Sequence, residues 1–207
     1  MRFRNRAHAA QLLIAQLADY RGVNPLVIGI PRGGVPMARQ VADALEGELD
    51  VILVRKLGMR GNPEFAVGAV SEDGQILRNP HLPPGAVDEA YLEQEAAAQL
   101  ELIRARRARY APSRDPVDPN ERVVILVDDG TATGSTMIAA LRALRPRRAR
   151  ELVAALPVAP PETAARLRRE ADRLVVLATP DDFRAVGAYY DDFGQVSDED
   201  VVAALGS

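Results

Sequence analysis

The run Val123-Val124-Ile125-Leu126-Val127-Asp128-Asp129-Gly130-Thr131-Ala132-Thr133-Gly134-Ser135-Thr136 decides how the chain is read. Five apolar residues in succession predict a strand buried on both faces. Two adjacent carboxylates follow, then a stretch of glycine and small hydroxyl residues, then a helix over about 135–144. Small residues let backbone amides close around an anion, and the helix N-terminus adds a partial positive charge. The threonine and serine hydroxyls supply further donors. No bulky cation is present, so a phosphate would be held here mainly by dipoles. Two carboxylates directly ahead of the loop suit a pair of vicinal hydroxyls, as on a ribose whose 5′-phosphate sits in it. An ordinary helix cap behind two acidic surface residues would explain Asp128-Asp129 alone. The strand, the acid pair and the Thr-Ala-Thr-Gly-Ser-Thr run together favour the ribose phosphate.

Competing phosphate motifs are missing. The chain has no Gly-Lys-Ser/Thr of a P-loop and no G-x-G-x-x-G dinucleotide turn. It has no cysteine, which excludes disulfides, thiolate metal sites and cysteine nucleophiles. His8 and His81 lack ligand spacing and read as lone exposed side chains. The start Met1-Arg2-Phe3-Arg4 resembles a signal n-region, but Leu12-Leu13-Ile14 is too short for an h-region. No apolar stretch approaches the roughly 20 residues that cross a bilayer, so a cytoplasmic protein without membrane contact is expected. The formal charge of −3 argues against broad nucleic-acid binding. Lys56 is the only lysine among 26 basic residues.

On either side of the decisive run, apolar strands alternate with helices, which predicts an α/β fold with a mainly parallel sheet covered on both faces. Asn5 caps a helix to about residue 19, with Ala9, Leu12, Leu13 and Leu17 as its apolar face. A strand over 26–30, a Gly-Gly turn, a helix over 35–45 and a strand over 51–54 follow. Segments 66–70 and 75–77 flank Glu72-Asp73-Gly74 as a hairpin, ended by Pro80, Pro83, Pro84 and Gly85. A long helix over 87–110 is acidic at its start and basic at its end, as the helix dipole favours. Its arginines Arg104, Arg106, Arg107 and Arg109 read as a solvated helix end rather than a nucleic-acid patch. Residues 111–120, with three prolines, are a linker or exposed loop. Further strands are expected over 152–156 and 174–177, with a helix starting at Pro161 between them. Beyond Pro180 lie Phe183, Tyr189, Tyr190 and Phe193, four of the nine aromatics.

Two other segments have the chemistry of a phosphate site. Pro31-Arg32-Gly33-Gly34 ends a strand, where glycines permit close approach to a ligand and an arginine offers a fork of donors to pyrophosphate. A plain strand-to-helix turn is the alternative. Arg55-Lys56 would place two cations at a strand's carboxyl end, facing the crevice where α/β sheets bind ligands. The Gly- and Pro-bearing stretch 57–64 beyond reads as a mobile loop; a solvated basic turn is the alternative.

The decisive run strongly resembles the 5-phosphoribosyl-1-diphosphate (PRPP) motif of type I phosphoribosyltransferases, and the supporting segments occur in the order that family uses. The resemblance implies a type I core over 1–178 and a small C-terminal hood over 179–207; the hairpin and long helix over about 66–120 depart from the family's compact core as an insertion. It implies that Asp128 and Asp129 contact the ribose hydroxyls and that Thr131, Ala132, Thr133, Gly134, Ser135 and Thr136 wrap the 5′-phosphate. Arg32, Gly33 and Gly34 become the pyrophosphate loop, which in the family often contains a non-proline cis bond. Arg55 and Lys56 join Asp128 and Asp129 as catalytic candidates, and the loop after them closes over PRPP. Phe183, Tyr189 and Tyr190 are hood candidates that either stack on an acceptor base or pin the tail as a small core. In 6-oxopurine members an aspartate stands at the position of Ala132, so alanine counts against hypoxanthine or guanine as acceptor. The implied activity is that of a pentosyltransferase, moving 5-phosphoribosyl from PRPP to a nitrogenous base, with Mg²⁺ arriving on the substrate. A homo-oligomer contact or a lid is the expected role of the long helix. A regulator that keeps the fold to sense PRPP or a nucleotide is the alternative; it needs a basic face made from Arg104–Arg109 and Arg142–Arg150.

Overall fold

A computed structural model describes all residues except Pro80, His81, Pro84, 111–114 and Ser207, and the side chains of all the rest except Pro63 and Glu64. The expected exposure of His81 and the linker reading of 111–114 therefore lie outside the described residues. Helix α1 (Arg6–Gln16) starts at the expected cap, where the Asn5 side-chain oxygen accepts the His8 amide at 3.0 Å. β1 (Leu26–Gly29) is buried along its length and leads into α2 (Gly34–Leu45). Val35, Ala38, Val41, Ala42 and Leu45 recur on α2 at helical spacing and are all buried. After β2 (Glu48–Val51) the chain leaves for β3 (Val54–Met59), β4 (Asn62–Ser71) and β5 (Ile76–Arg78), covered by α3 (Glu89–Tyr110). It returns through β6 (Val123–Val127), α4 (Ser135–Leu144), β7 (Glu151–Val158), α5 (Pro161–Glu170) and β8 (Arg173–Ala178), followed by α6 (Asp198–Gly206).

The five-stranded sheet has the order β2-β1-β6-β7-β8, and every neighbouring pair is parallel. Alternate side chains of one strand face opposite layers. Val123, Ile125 and Val127 of β6 join α1 and α2, whereas Val124 and Leu126 join α4 and α5. The connection from β1 runs to the first layer and that from β6 to the second. The carboxyl ends of β1 and β6 therefore flank a topological switch point, where such sheets leave a crevice.

Three expectations need correction. The strand expected over 51–54 is two strands: β2 ends at Val51, and β3 opens a separate antiparallel sheet at Val54, ahead of the expected insertion start near residue 66. Asp50 lies within β2 and is 3% exposed. Its carboxylate accepts Arg107 Nη1 at 3.0 Å and the Val117 amide at 2.8 Å, from partners far along the chain. Second, 57–64 is not a loop. Residues up to Met59 and from Asn62 pair as β3 and β4, turning at Arg60-Gly61. Arg55 and Lys56 thus lie inside a strand and point to opposite faces. Third, Arg107 is not a solvated helix end. It is bonded to Asp50 and Glu72 with its side chain only 15% exposed.

The segment after β8 is pinned by backbone pairing with the N-terminus: Phe3 N donates to Tyr189 O at 2.8 Å and Asp191 N to Phe3 O at 2.8 Å. Helix α6 then packs on α2 and α3. No described helix is long and apolar enough to cross a membrane.

The Arg107 cluster holds the insertion to the edge of the parallel sheet. Arg107→Ala leaves Asp50 and Glu72 buried without their cation, a change that costs roughly 3–5 kcal/mol. Urea unfolding should show that loss in the midpoint; a change within about 0.5 kcal/mol, the scatter of a neutral surface substitution, would contradict the role given to this cluster.

Candidate functional site

At the switch point the turns after β1 and β6 interlock. Ile30 N donates to Val127 O at 2.9 Å, and Gly34 N turns back to Ile30 O at 3.0 Å. The peptide bond between Pro31 and Arg32 is cis. A Cβ placed on Gly33 would stand 1.9 Å from Asp129 Oδ2, so only glycine fits against the acid. The structure therefore brings Gly33, Gly34, Asp128 and Asp129 to one spot, with 131–136 leading away from it. Arg32 is exposed at the same turn, and its charge reaches Tyr110 at the end of α3 and Asp198 at the start of α6.

The two carboxylates are in unequal surroundings. Asp128 Oδ1 accepts the Asp129 amide at 2.9 Å. Burial, and then the negative charge of Asp129, push the Asp128 carboxyl well above the usual carboxylate range. Asp129 is raised too, by burial, against the pull of Arg6. Arg6 Nε and Nη2 both approach Asp129 Oδ2 at 2.8 Å. The same guanidinium donates to Gly194 O at 2.6 Å and lies 3.9 Å from the centroid of the Phe193 ring. Tyr190 completes the support: its hydroxyl donates to Asp129 O at 2.6 Å.

The loop after the acids is braced from α5. Thr163, 2% exposed, donates its hydroxyl to Ala132 O at 2.7 Å, and Arg166 Nη1 donates to Thr133 O at 3.2 Å. Gly134 takes φ 71°, a left-handed turn that aims the chain into α4. The Gly134 amide is held by Thr131 Oγ1 at 2.9 Å, and Thr133 Oγ1 lies 3.0 Å from Ser135 Oγ. The amides of Ala132 and Thr133 donate to nothing among the described residues. They adjoin the first turn of α4, whose amides have no partner within a helix, although the Ser135 amide donates to Thr133 Oγ1 at 3.4 Å; helix starts of this kind attract anions.

The remaining candidates separate. Arg55 turns away from the acid pair and bonds Gln99 of α3. Lys56 lines a cavity of about 820 Å³ that also touches Thr133, Ser135 and Thr136. Phe183 and Tyr189 stack on each other, centroids 5.6 Å apart, and stay partly exposed. Tyr190 is corrected as a base-stacking residue: it is 3% exposed, packed between Phe3 and Phe193. Arg6, Thr163 and Arg166 escape the sequence reading. A lone arginine at a helix start and two polar positions on an amphipathic helix carry no local signal of what they meet across the chain.

Among the described residues no group of three or more His, Cys, Asp or Glu side chains converges as a metal site. The Asp128-Asp129 pair offers carboxylate oxygens to a hard cation that brings its other ligands with it.

Comparison with known proteins places this geometry. The model of the phosphoribosyl transferase domain matches residues 3–193. A Mycobacterium tuberculosis (strain H37Rv) protein named "Putative phosphoribosyl transferase Rv0571c" is 41% identical over 204 residues, covering 98% of this chain and 46% of its own length. The chain thus spans about half of that curated relative. The crystal structure of TT1426 from Thermus thermophilus superposes with a TM-score of 0.89 at 51% identity, covering 99% of this chain and 98% of the other. A purine phosphoribosyltransferase from Pyrococcus horikoshii, at 18% identity and a TM-score of 0.51 over 93% and 92% of the two chains, shares the fold.

Because the folded protein holds the Asp128 proton more tightly than the unfolded chain, ionisation works against folding. That penalty is smallest at low pH and grows as the pH rises through the elevated folded value. Asp128→Asn removes it while keeping the oxygen that accepts the Asp129 amide. The variant should melt higher than the parent at pH 7, by about 2–4 °C for each kcal/mol recovered. The gap should close toward pH 4 in a calorimetric series; a variant that melts lower at pH 7 would refute the electrostatic reading.

Proposed function

The chain belongs to the phosphoribosyl transferase family, and from that premise we propose that it transfers 5-phosphoribosyl from PRPP to a nitrogenous base, releasing pyrophosphate. One observation carries the reading. The acid pair, the Gly33-Gly34 turn and the unpartnered loop amides share one edge of the sheet, so a sugar, its 5′-phosphate and its 1-diphosphate each meet matching chemistry. Asp128 and Asp129 accept the ribose hydroxyls, as charge-assisted bonds that orient the ring. The amides of Ala132 and Thr133, with the hydroxyls of 131–136 and the start of α4, hold the 5′-phosphate. The Arg32-Gly33-Gly34 turn receives the diphosphate, with the Arg32 guanidinium as its cation. Mg²⁺ fits as a passenger of the substrate, since the acid pair is short of positive charge and a divalent ion shields the diphosphate as it leaves.

In the transfer, the bond between C1′ and the diphosphate oxygen breaks with its electron pair going to pyrophosphate. A ring nitrogen of the acceptor bonds C1′ from the opposite face, with inversion, and its proton passes to solvent or to the departing pyrophosphate. Positive charge builds on the ribose between these events, as in other glycosyl transfers. The chain's contribution is positioning and charge stabilisation. Arg55, held toward α3 by Gln99, is left out of this proposal, and Lys56 reaches the phosphate end rather than the acid pair. Phe183 and Tyr189, in the segment that Tyr190 ties to Asp129, present a partly exposed aromatic pair for the acceptor ring. Ala132 offers no carboxylate for a 6-oxopurine.

The regulator alternative loses much of its surface, though Arg106, Arg148 and Arg150 stay exposed. Arg107 and Arg109 are paired with carboxylates, as are Arg142 with Glu170, Arg145 with Asp172 and Arg147 with Asp73. Such pairs leave little bare positive charge for a phosphate backbone.

Calorimetric titration with Mg-PRPP should show one site per chain. Each hydrogen bond to an ionised carboxylate contributes roughly 1.5–3 kcal/mol, so Asp128→Asn and Asp129→Asn should each weaken binding about ten-fold or more. Binding should also weaken as the pH falls toward the elevated Asp128 value, because the proton competes with the sugar hydroxyls. Pyrophosphate release screened across purines, pyrimidines, orotate and xanthine then identifies the acceptor. Unchanged PRPP affinity in both variants would remove the site, and PRPP binding without release across that screen would leave a binder rather than a transferase.

A further inference from the structure

The phosphate loop opens on its outer side into the 820 Å³ cavity, which lies between α4, α5 and the antiparallel sheet. A cradle for a terminal 5′-phosphate needs no such space beyond it. The walls are of two kinds. Arg166 and Arg169, one helical turn apart on the exposed face of α5, stand on one side, and Arg166 already touches the loop through Thr133 O. Small and aliphatic side chains make the floor, Val54, Ala69 and Leu77 from the antiparallel sheet and Ile138 and Ala139 from α4, with Lys56, Asn79 and the Glu89-paired Arg78 at its margin. The one carboxylate on the wall, Glu170, is occupied by Arg142. Cations next to the loop and an apolar floor farther in describe a ligand that continues past the 5′-phosphate, first as a second phosphate and then as a flat, weakly polar body.

We propose that this cavity is a subsite for ribosyl 5′-diphosphate esters. The ribose and its first phosphate occupy the acid pair and the loop, the second phosphate lies at Arg166 and Arg169, and an attached nucleoside rests on the Val54, Leu77 and Ile138 floor. ADP-ribose has this build, with the free ribose hydroxyls that Asp128 and Asp129 accept. The subsite rests on the reading of the loop given above, and it makes such esters competitors of PRPP.

The test is displacement of labelled PRPP, with Mg²⁺ present, by ribose 5-phosphate and by ADP-ribose. The expected result is half-displacement by ADP-ribose at a concentration at least about ten-fold below that of ribose 5-phosphate, as charge-assisted contacts to an added phosphate imply. Arg169→Glu should narrow that ratio while leaving PRPP affinity within about two-fold, since a reversed charge on the cavity wall acts mainly on what lies nearest it. Arg166→Glu/Arg169→Glu should abolish the ratio. Equal potency of the two competitors, a ratio that survives the double variant, or ADP-ribose and PRPP bound together would overturn the subsite. If PRPP binds normally and the ratio is one, only the extension fails; if PRPP does not bind, the reading of the loop fails as well.

Discussion

The contact of Asp129 with the Cα of Gly33 fixes the distance between the two turns on which the site is built. β1 and β6 are neighbours in register, Gly29 beside Val127, so the turns that follow them leave the sheet side by side. Any side chain at residue 33 would force the acid aside. With glycine there, the carboxylate closes on the turn and Arg6 closes on the carboxylate. Because Arg6 is also held by Phe193 and Gly194, the acid pair is joined to both the first helix and the segment after the last strand. A local requirement at one glycine thereby recruits parts of the chain more than a hundred residues apart.

Charge follows the same geometry. Two carboxylates on adjacent residues, enclosed on one side by apolar β6, repel each other and resist ionisation. One arginine cannot neutralise both, so the free protein retains a local demand for positive charge that a magnesium-bearing substrate would meet. The insertion handles its charges differently. Around Arg107 two carboxylates face a cation that contacts both. The Arg107 cluster closes its own charges and holds two sheets together, whereas the acid pair leaves part of its charge open at a crevice.

Much of this was legible locally. The Val123–Val127 run, the helices capped at Asn5 and begun at Pro161, and the parallel layering follow from patterns that neighbours in sequence complete. What failed had its reason elsewhere in the chain. Arg107 looked solvated because its carboxylates, Asp50 and Glu72, lie far along the chain, and Arg55-Lys56 looked like a strand end because nothing nearby announces the second sheet. One miss was local: Ser197 and Asp200 form a reciprocal cap, with Ser197 Oγ accepting the Asp200 amide at 3.1 Å and Asp200 Oδ2 the Ser197 amide at 2.8 Å. That pattern marks a helix start in the sequence. The loop itself was readable in composition, whereas its braces, Thr163 and Arg166, were not, since a threonine and an arginine on an amphipathic helix look alike wherever they point.

Those braces give the loop the rigidity that the proposed phosphate binding would need. A loop carrying several amides without partners would ordinarily collapse onto its own carbonyls or onto water. Here Thr163 occupies Ala132 O and Arg166 occupies Thr133 O from outside, so the carbonyls are engaged on the α5 side. Fixing them there holds those carbonyls turned toward α5. The donors are thus oriented before any anion arrives, and binding does not have to supply the ordering that a loose loop would require. The same helix that stiffens the loop also forms the wall of the cavity beyond it, so rigidity at the phosphate and space behind it have one structural origin.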